Sequence, residues 1–115
     1  SGQLPRHGEA LVTGKVGTDV DLEHARDAAR LCILQGLACL NQSLGSLDKV
    51  DRILKITGFV ASAPGFNLQP RVIDAASELL VQIFGDMGKH ARSAVGVAEL
   101  PRNAAVEIEM IVALR

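Results

Sequence analysis

"KHARSAVGVAELPRNAAVEIEMIVALR", residues Lys89–Arg115, is the stretch whose reading decides the fold. Two runs rich in small and β-branched residues, Ala91–Leu100 and Ala104–Leu114, flank a "PRN" turn. That composition reads as two strands. An arginine stands near the start of the first run, and two glutamates interrupt the second. Strand residues two apart share a face. Arg92 therefore sides with Ala94 and Gly96, which leave open space beside its guanidinium, while Ser93 faces the other way. Glu107 and Glu109 alternate with Val106, Ile108 and Met110 and share one face, the usual pattern of a strand with a solvated side.

Working outward, "VDRILKITGFVAS" (Val50–Ser62) is nearly continuously apolar and β-branched, which predicts a strand buried on both faces over much of its length. "RVIDAASELLVQIFG" (Arg71–Gly85) shows helical periodicity, with Val72, Ile73, Ala76, Leu79, Leu80, Ile83 and Phe84 inward. Pro70 suits its first turn and Gly85 its end. A longer helix is predicted within "TDVDLEHARDAARLCILQGLACLNQSLG" (Thr18–Gly45). Leu22, Ala25, Ala29, Cys32, Gly36 and Cys39 recur on one face, with Ala28, Leu31, Leu34, Leu37 and Leu40 beside them. Asp19 or Asp21 can cap its start, and Gly45 can end it. "GEALVTGKVG" (Gly8–Gly17) reads as a short first strand.

The order is β-α-β-α-β-β, a two-layer α+β domain over residues 1–115 with both helices on one face of a mixed sheet. The other face has apolar alternates and few aromatics, so burial against further subunits is expected. The 115 residues suit one domain. Twelve Lys+Arg against thirteen Asp+Glu, with no basic stretch, argue against a nucleic-acid binder. With no Trp or Tyr and three Phe, there is also little for bases to stack on. No apolar run reaches the roughly 18 residues of a membrane span, and nothing reads as a secretory leader.

Cys32 and Cys39 lie two helical turns apart, roughly 10 Å of rise, too far for a disulfide. Both are expected to be buried and reduced, which suits a cytoplasmic setting. His7, His24 and His90 share no ligand spacing with each other or with the cysteines, so no metal site is expected. No Ser-His-Asp order, nucleophilic cysteine or phosphate loop stands out.

"SGQLP" (Ser1–Pro5), "KITGFVAS" (Lys55–Ser62) and "HARSAVGVAELPRNAAVEIEMIVAL" (His90–Leu114), in this element order, resemble the Rid family, also called the YjgF or L-PSP family. Gly88–Ala98 is most similar to a subgroup carrying a G-K/R-H-A-R-S-A-V-G-V-A segment. The resemblance implies a chorismate-mutase-like fold assembled as a homotrimer, with ligand clefts between subunits. It implies hydrolytic deamination of reactive enamines and imines, of the 2-aminoacrylate type, to 2-oxo acids and ammonia, without a metal or organic cofactor. Arg92 falls on the family's carboxylate-binding arginine and Glu107 on its water-holding glutamate; Gly2 falls in a segment that lines the cleft. Ala94, two residues after the arginine, stands where many deaminating members have cysteine. Pro70 lies near where many have a polar side chain. Ala94 and His90 complete the candidate substrate contacts. The family also carries a strand and an aromatic residue ahead of its "SGQ" segment. Two other readings remain: a trimer that binds small 2-oxo or carboxylic acids without turnover, and the ribonuclease of the older family label, which the composition disfavours.

Overall fold

A computed structural model describes all 115 residues. The central strand, β3 (Val50–Ala61), pairs parallel with β4 (Ala91–Val97) and antiparallel with β5 (Val106–Leu114), giving the order β4-β3-β5. Two helices, α1 (Leu22–Leu44) and α2 (Gln69–Phe84), lie on one face of this mixed sheet. The parallel β3–β4 pair needs a crossover, and α2 supplies it. The result is the two-layer α+β architecture read from the sequence.

Capping fixes where the helices run. Asp21 accepts a hydrogen bond from the His24 backbone N–H at 2.8 Å, and Gly45 (φ 84°) closes α1 by donating to the Asn41 carbonyl at 2.8 Å. Pro70 lies in the first turn of α2, and Gly85 (φ 63°) ends it. The core between helices and sheet is aliphatic, with Ile33, Ile53, Ile56, Ile73, Leu80 and Ile108 its largest fully buried side chains. Two glycines let the layers approach. A Cβ at Gly58 would run into Ile73 of α2, and one at Gly36 would run into Met110 of β5.

The structure departs from the sequence reading at four points. The expected strand Gly8–Gly17 is instead a small hairpin, β1 (Arg6–His7) with β2 (Ala10–Leu11), followed by single bridges from Thr13 to Ala104 and from Val16 to Ser62. Gly14 (φ 109°) and Gly17 (φ 107°) bend the backbone out of the extended region and break the run. Within the chain, β3 is buried on one face only: Ile53, Ile56, Gly58 and Val60 are covered, while Arg52, Leu54 and Lys55 are exposed. Cys39 is exposed, because it sits beside Gln3 at the sheet edge rather than beneath the core. Leu34 and Ile83, expected inward, point to solvent.

Candidate functional site

Arg92 pairs in register with Ile56, Ala94 with Gly58, and Gly96 with Val60, so all three share the helix-covered face. There α2 grips the guanidinium. Nη2 forms an ion pair with Asp74 Oδ1 at 2.8 Å and donates to the Pro70 carbonyl at 3.4 Å. Nη1 donates to Ser77 Oγ at 3.1 Å. Pro70, Asp74 and Ser77 recur at helical spacing, which sets them in one row facing β4.

The row continues through His90. Its Nδ1 lies 2.5 Å from the Gly88 carbonyl and its Nε2 lies 2.9 Å from Ser77 Oγ. A carbonyl only accepts, so Nδ1 carries the hydrogen and, in the neutral ring, Nε2 accepts from the Ser77 hydroxyl. Ser77 is thereby oriented with a lone pair toward Arg92. His90 reaches Arg92 through Ser77 rather than standing beside it.

The small residues along β4 do not leave the open space that strand alternation suggested. Ala94 packs against the core. A Cβ at Gly96 would meet Gln69 Nε2 at 2.7 Å and Ser62 Oγ at 3.0 Å. Approach to the guanidinium is instead from the side of Ser77, Val81, Lys89 and His90, which line a shallow concavity with it.

Glu107 and Glu109 pair with Phe59 and Thr57, on the opposite, uncovered face. Glu107 is half-buried, Glu109 is exposed, and neither pairs with a basic side chain. Gln3 exchanges backbone hydrogen bonds with Ile108 at 2.8 and 3.1 Å, and this lays Gly2 against Glu107. A Cβ on Gly2 would collide with the Glu107 carboxylate. The candidate residues thus fall into two groups, Gly2 with Glu107 and Arg92 with His90, on opposite sides of the sheet. Ala94, partly buried, packs against the core beside the second.

Asp74 and Ser77 were not anticipated. Their signal in the sequence was two polar side chains three apart, beside Glu78, among the apolar residues of "VIDAASELL". Only the register of α2 over β4 gives that signal its meaning. Below the Glu107 strand, Cys32 donates to the Val106 carbonyl at 3.7 Å. Burial, reinforced by the nearby Glu107 charge, pushes its thiol well above the ordinary value.

Comparison with known proteins agrees with the fold. A model of the family described as "YjgF/chorismate_mutase-like, putative endoribonuclease" matches residues 1–114. Protein TCP17 of Trypanosoma cruzi is 43% identical over 116 residues, covering 99% of this chain and 72% of that protein. A 2-iminobutanoate/2-iminopropanoate deaminase of Dermatophagoides farinae is 41% identical over 66 residues, 57% of this chain and 45% of that enzyme. The crystal structure of Atu1372 from Agrobacterium tumefaciens, a protein of unknown function, superposes with a TM-score of 0.97 at 49% identity, covering 100% of this chain and 74% of that one.

Proposed function

Because the chain belongs to the YjgF/chorismate mutase-like family, which takes in imine deaminases, we propose that it hydrolyses small 2-imino acids and their enamine tautomers to 2-oxo acids and ammonia. The observation that carries the proposal is the pair of groups set on opposite faces of one sheet: the Arg92 guanidinium and the Glu107 carboxylate. A guanidinium matches a carboxylate in shape and charge. A carboxylate without a basic partner, beside a backbone as bare as Gly2, matches the task of holding a water. One copy cannot bring both to one small molecule. A homotrimer in which the uncovered face of one copy meets the open side of Arg92 on the next would do so at each seam.

The chemistry asks little beyond orientation. The enamine first takes a proton on its methylene carbon to become the iminium. Water then adds to the iminium carbon, its proton passes toward nitrogen, and the C–N bond breaks. The atoms balance as C=NH2+ plus H2O giving C=O plus NH4+. Arg92 holds the substrate carboxylate, Glu107 orients the water and takes its proton, and the seam excludes bulk solvent. No metal or organic cofactor enters this scheme.

The test couples the protein to an amino-acid oxidase that releases 2-iminobutanoate, with semicarbazide as the competing trap. Wild type should speed loss of the imine, and Arg92→Ala should abolish the acceleration. Equal rates for the two would refute catalysis at this site. Binding of 2-oxobutanoate without any acceleration would instead favour a carboxylate-binding trimer with no turnover.

A further inference from the structure

Arg92 already holds a carboxylate. A guanidinium makes a two-pronged contact along one of two edges, end-on through Nη1 and Nη2 or side-on through Nε and Nη2. Both edges include Nη2. In this chain Nη2 is engaged by Asp74 Oδ1 at 2.8 Å and by the Pro70 carbonyl at 3.4 Å. A ligand carboxylate brought to Nη2 meets the charge of the Asp74 carboxylate already there.

The two partners of Nη2 differ in freedom. The Pro70 carbonyl belongs to the first turn of α2 and is fixed by the helix. The Asp74 side chain is 45% exposed and reaches water by a change of rotamer. Ser77, held by His90, keeps Nη1 in position throughout.

We propose that Asp74 is an internal stand-in for the ligand's acid group, displaced into solvent when a 2-oxo or 2-imino acid binds Arg92, and that it thereby lowers the affinity of the site for such acids. This rests on the reading of Arg92 as the carboxylate anchor. The exchange trades one ion pair for another, so the guanidinium never loses its counter-charge. A bare monocarboxylate gains little from that trade. A ligand binds well only by adding contacts beyond that trade, such as those an oxo or imino group makes at its second carbon. It applies to small 2-oxo and 2-imino monocarboxylates.

The experiment is calorimetric titration of the full chain with pyruvate. Exposed ion pairs are worth about 0.2–1 kcal/mol, so Asp74→Asn should tighten pyruvate binding by about 1.4- to fivefold. Ser77→Ala should weaken it, because Arg92 loses its brace while Asp74 remains. Glu78→Gln removes an equal charge from the same helix outside the row and should change nothing. Unchanged or weaker binding by Asp74→Asn, or equal tightening by Glu78→Gln, overturns the role of Asp74 and leaves Arg92 as the anchor. Pyruvate binding that Arg92→Ala does not weaken, or no binding by any variant, overturns the anchor and the stand-in together.

Discussion

Arg92 and Glu107 stand on opposite faces of one sheet: Arg92 in register with Ile56 beneath the helices, Glu107 in register with Phe59 on the uncovered side. In the proposed assembly each site takes its arginine from one copy and its glutamate from the next. Arg92→Ala and Glu107→Gln should therefore each abolish deaminase activity alone, yet complement when mixed. Random co-assembly of equal amounts leaves about a quarter of sites intact, so about a quarter of the wild-type rate should return. Were both groups to act from one chain, mixing would restore nothing.

Gly2 sets the Glu107 side chain by leaving it room. Gly2→Ala forces that carboxylate aside. The moving atoms are the end of a flexible side chain, so folding should hardly notice, with Tm shifted by no more than about 3 °C. Catalysis should notice, because a displacement near 1 Å at a reacting group costs up to about a hundredfold. Parallel thermal melts and imine-decay assays check this; a large Tm loss would mean that Gly2 serves the fold instead.

The uncovered face is where copies would meet. Ile111 is 58% exposed and Val95 is 42% exposed on that face. Ile111→Glu places a charge there without touching the core. Analytical ultracentrifugation should find wild type at three times the chain mass and the variant at one, with helical circular dichroism retained. A wild-type protein sedimenting as a single chain would remove the basis for a shared site.

The two thiols should react differently. Cys32 is buried and its thiol is pushed up by burial and the Glu107 charge, whereas Cys39 is exposed. Only the thiolate is nucleophilic. Native protein should titrate with one equivalent of a disulfide reagent, and denatured protein with two. Cys39→Ala should silence the native reaction.

At the start of α1, Asp21 and His24 support each other. The hydrogen bonds from His24, backbone first and then side chain, lower the Asp21 carboxyl, and the hydrogen bond to Asp21 raises the His24 imidazole. A raised histidine stabilises the folded state fully below its unfolded value of 6.5, and the effect fades as pH rises through the folded value. The lowered Asp21 contributes above its unfolded value of 3.8 and loses that contribution as pH falls through its folded value. The Tm difference between wild type and His24→Ala should thus be largest near pH 5–6 and vanish by about pH 9. A difference that grows toward alkaline pH would contradict this pairing.

Much of the fold was legible because its signals are local. Helical periodicity and caps placed α1 and α2, and the β-branched run placed β3 within a residue of its observed ends. What failed depended on neighbours. Single-residue bridges such as Thr13 to Ala104 and Val16 to Ser62 leave no pattern in a linear chain. The exposure of Cys39 follows from its place beside Gln3 at the sheet edge, which helical spacing cannot reveal. Alternation along the strands correctly put Arg92 with Ala94 and Gly96, and Glu107 with Glu109. It was silent on what α2 would press against the guanidinium, so Asp74 and Ser77 stayed unread.

The divide between the two faces also bears on abundance. In the proposed assembly a newly made copy, alone, would carry only disconnected parts and have no activity. Useful output would then rise more steeply than the number of copies synthesised, and dilution would switch it off without damaging a single molecule.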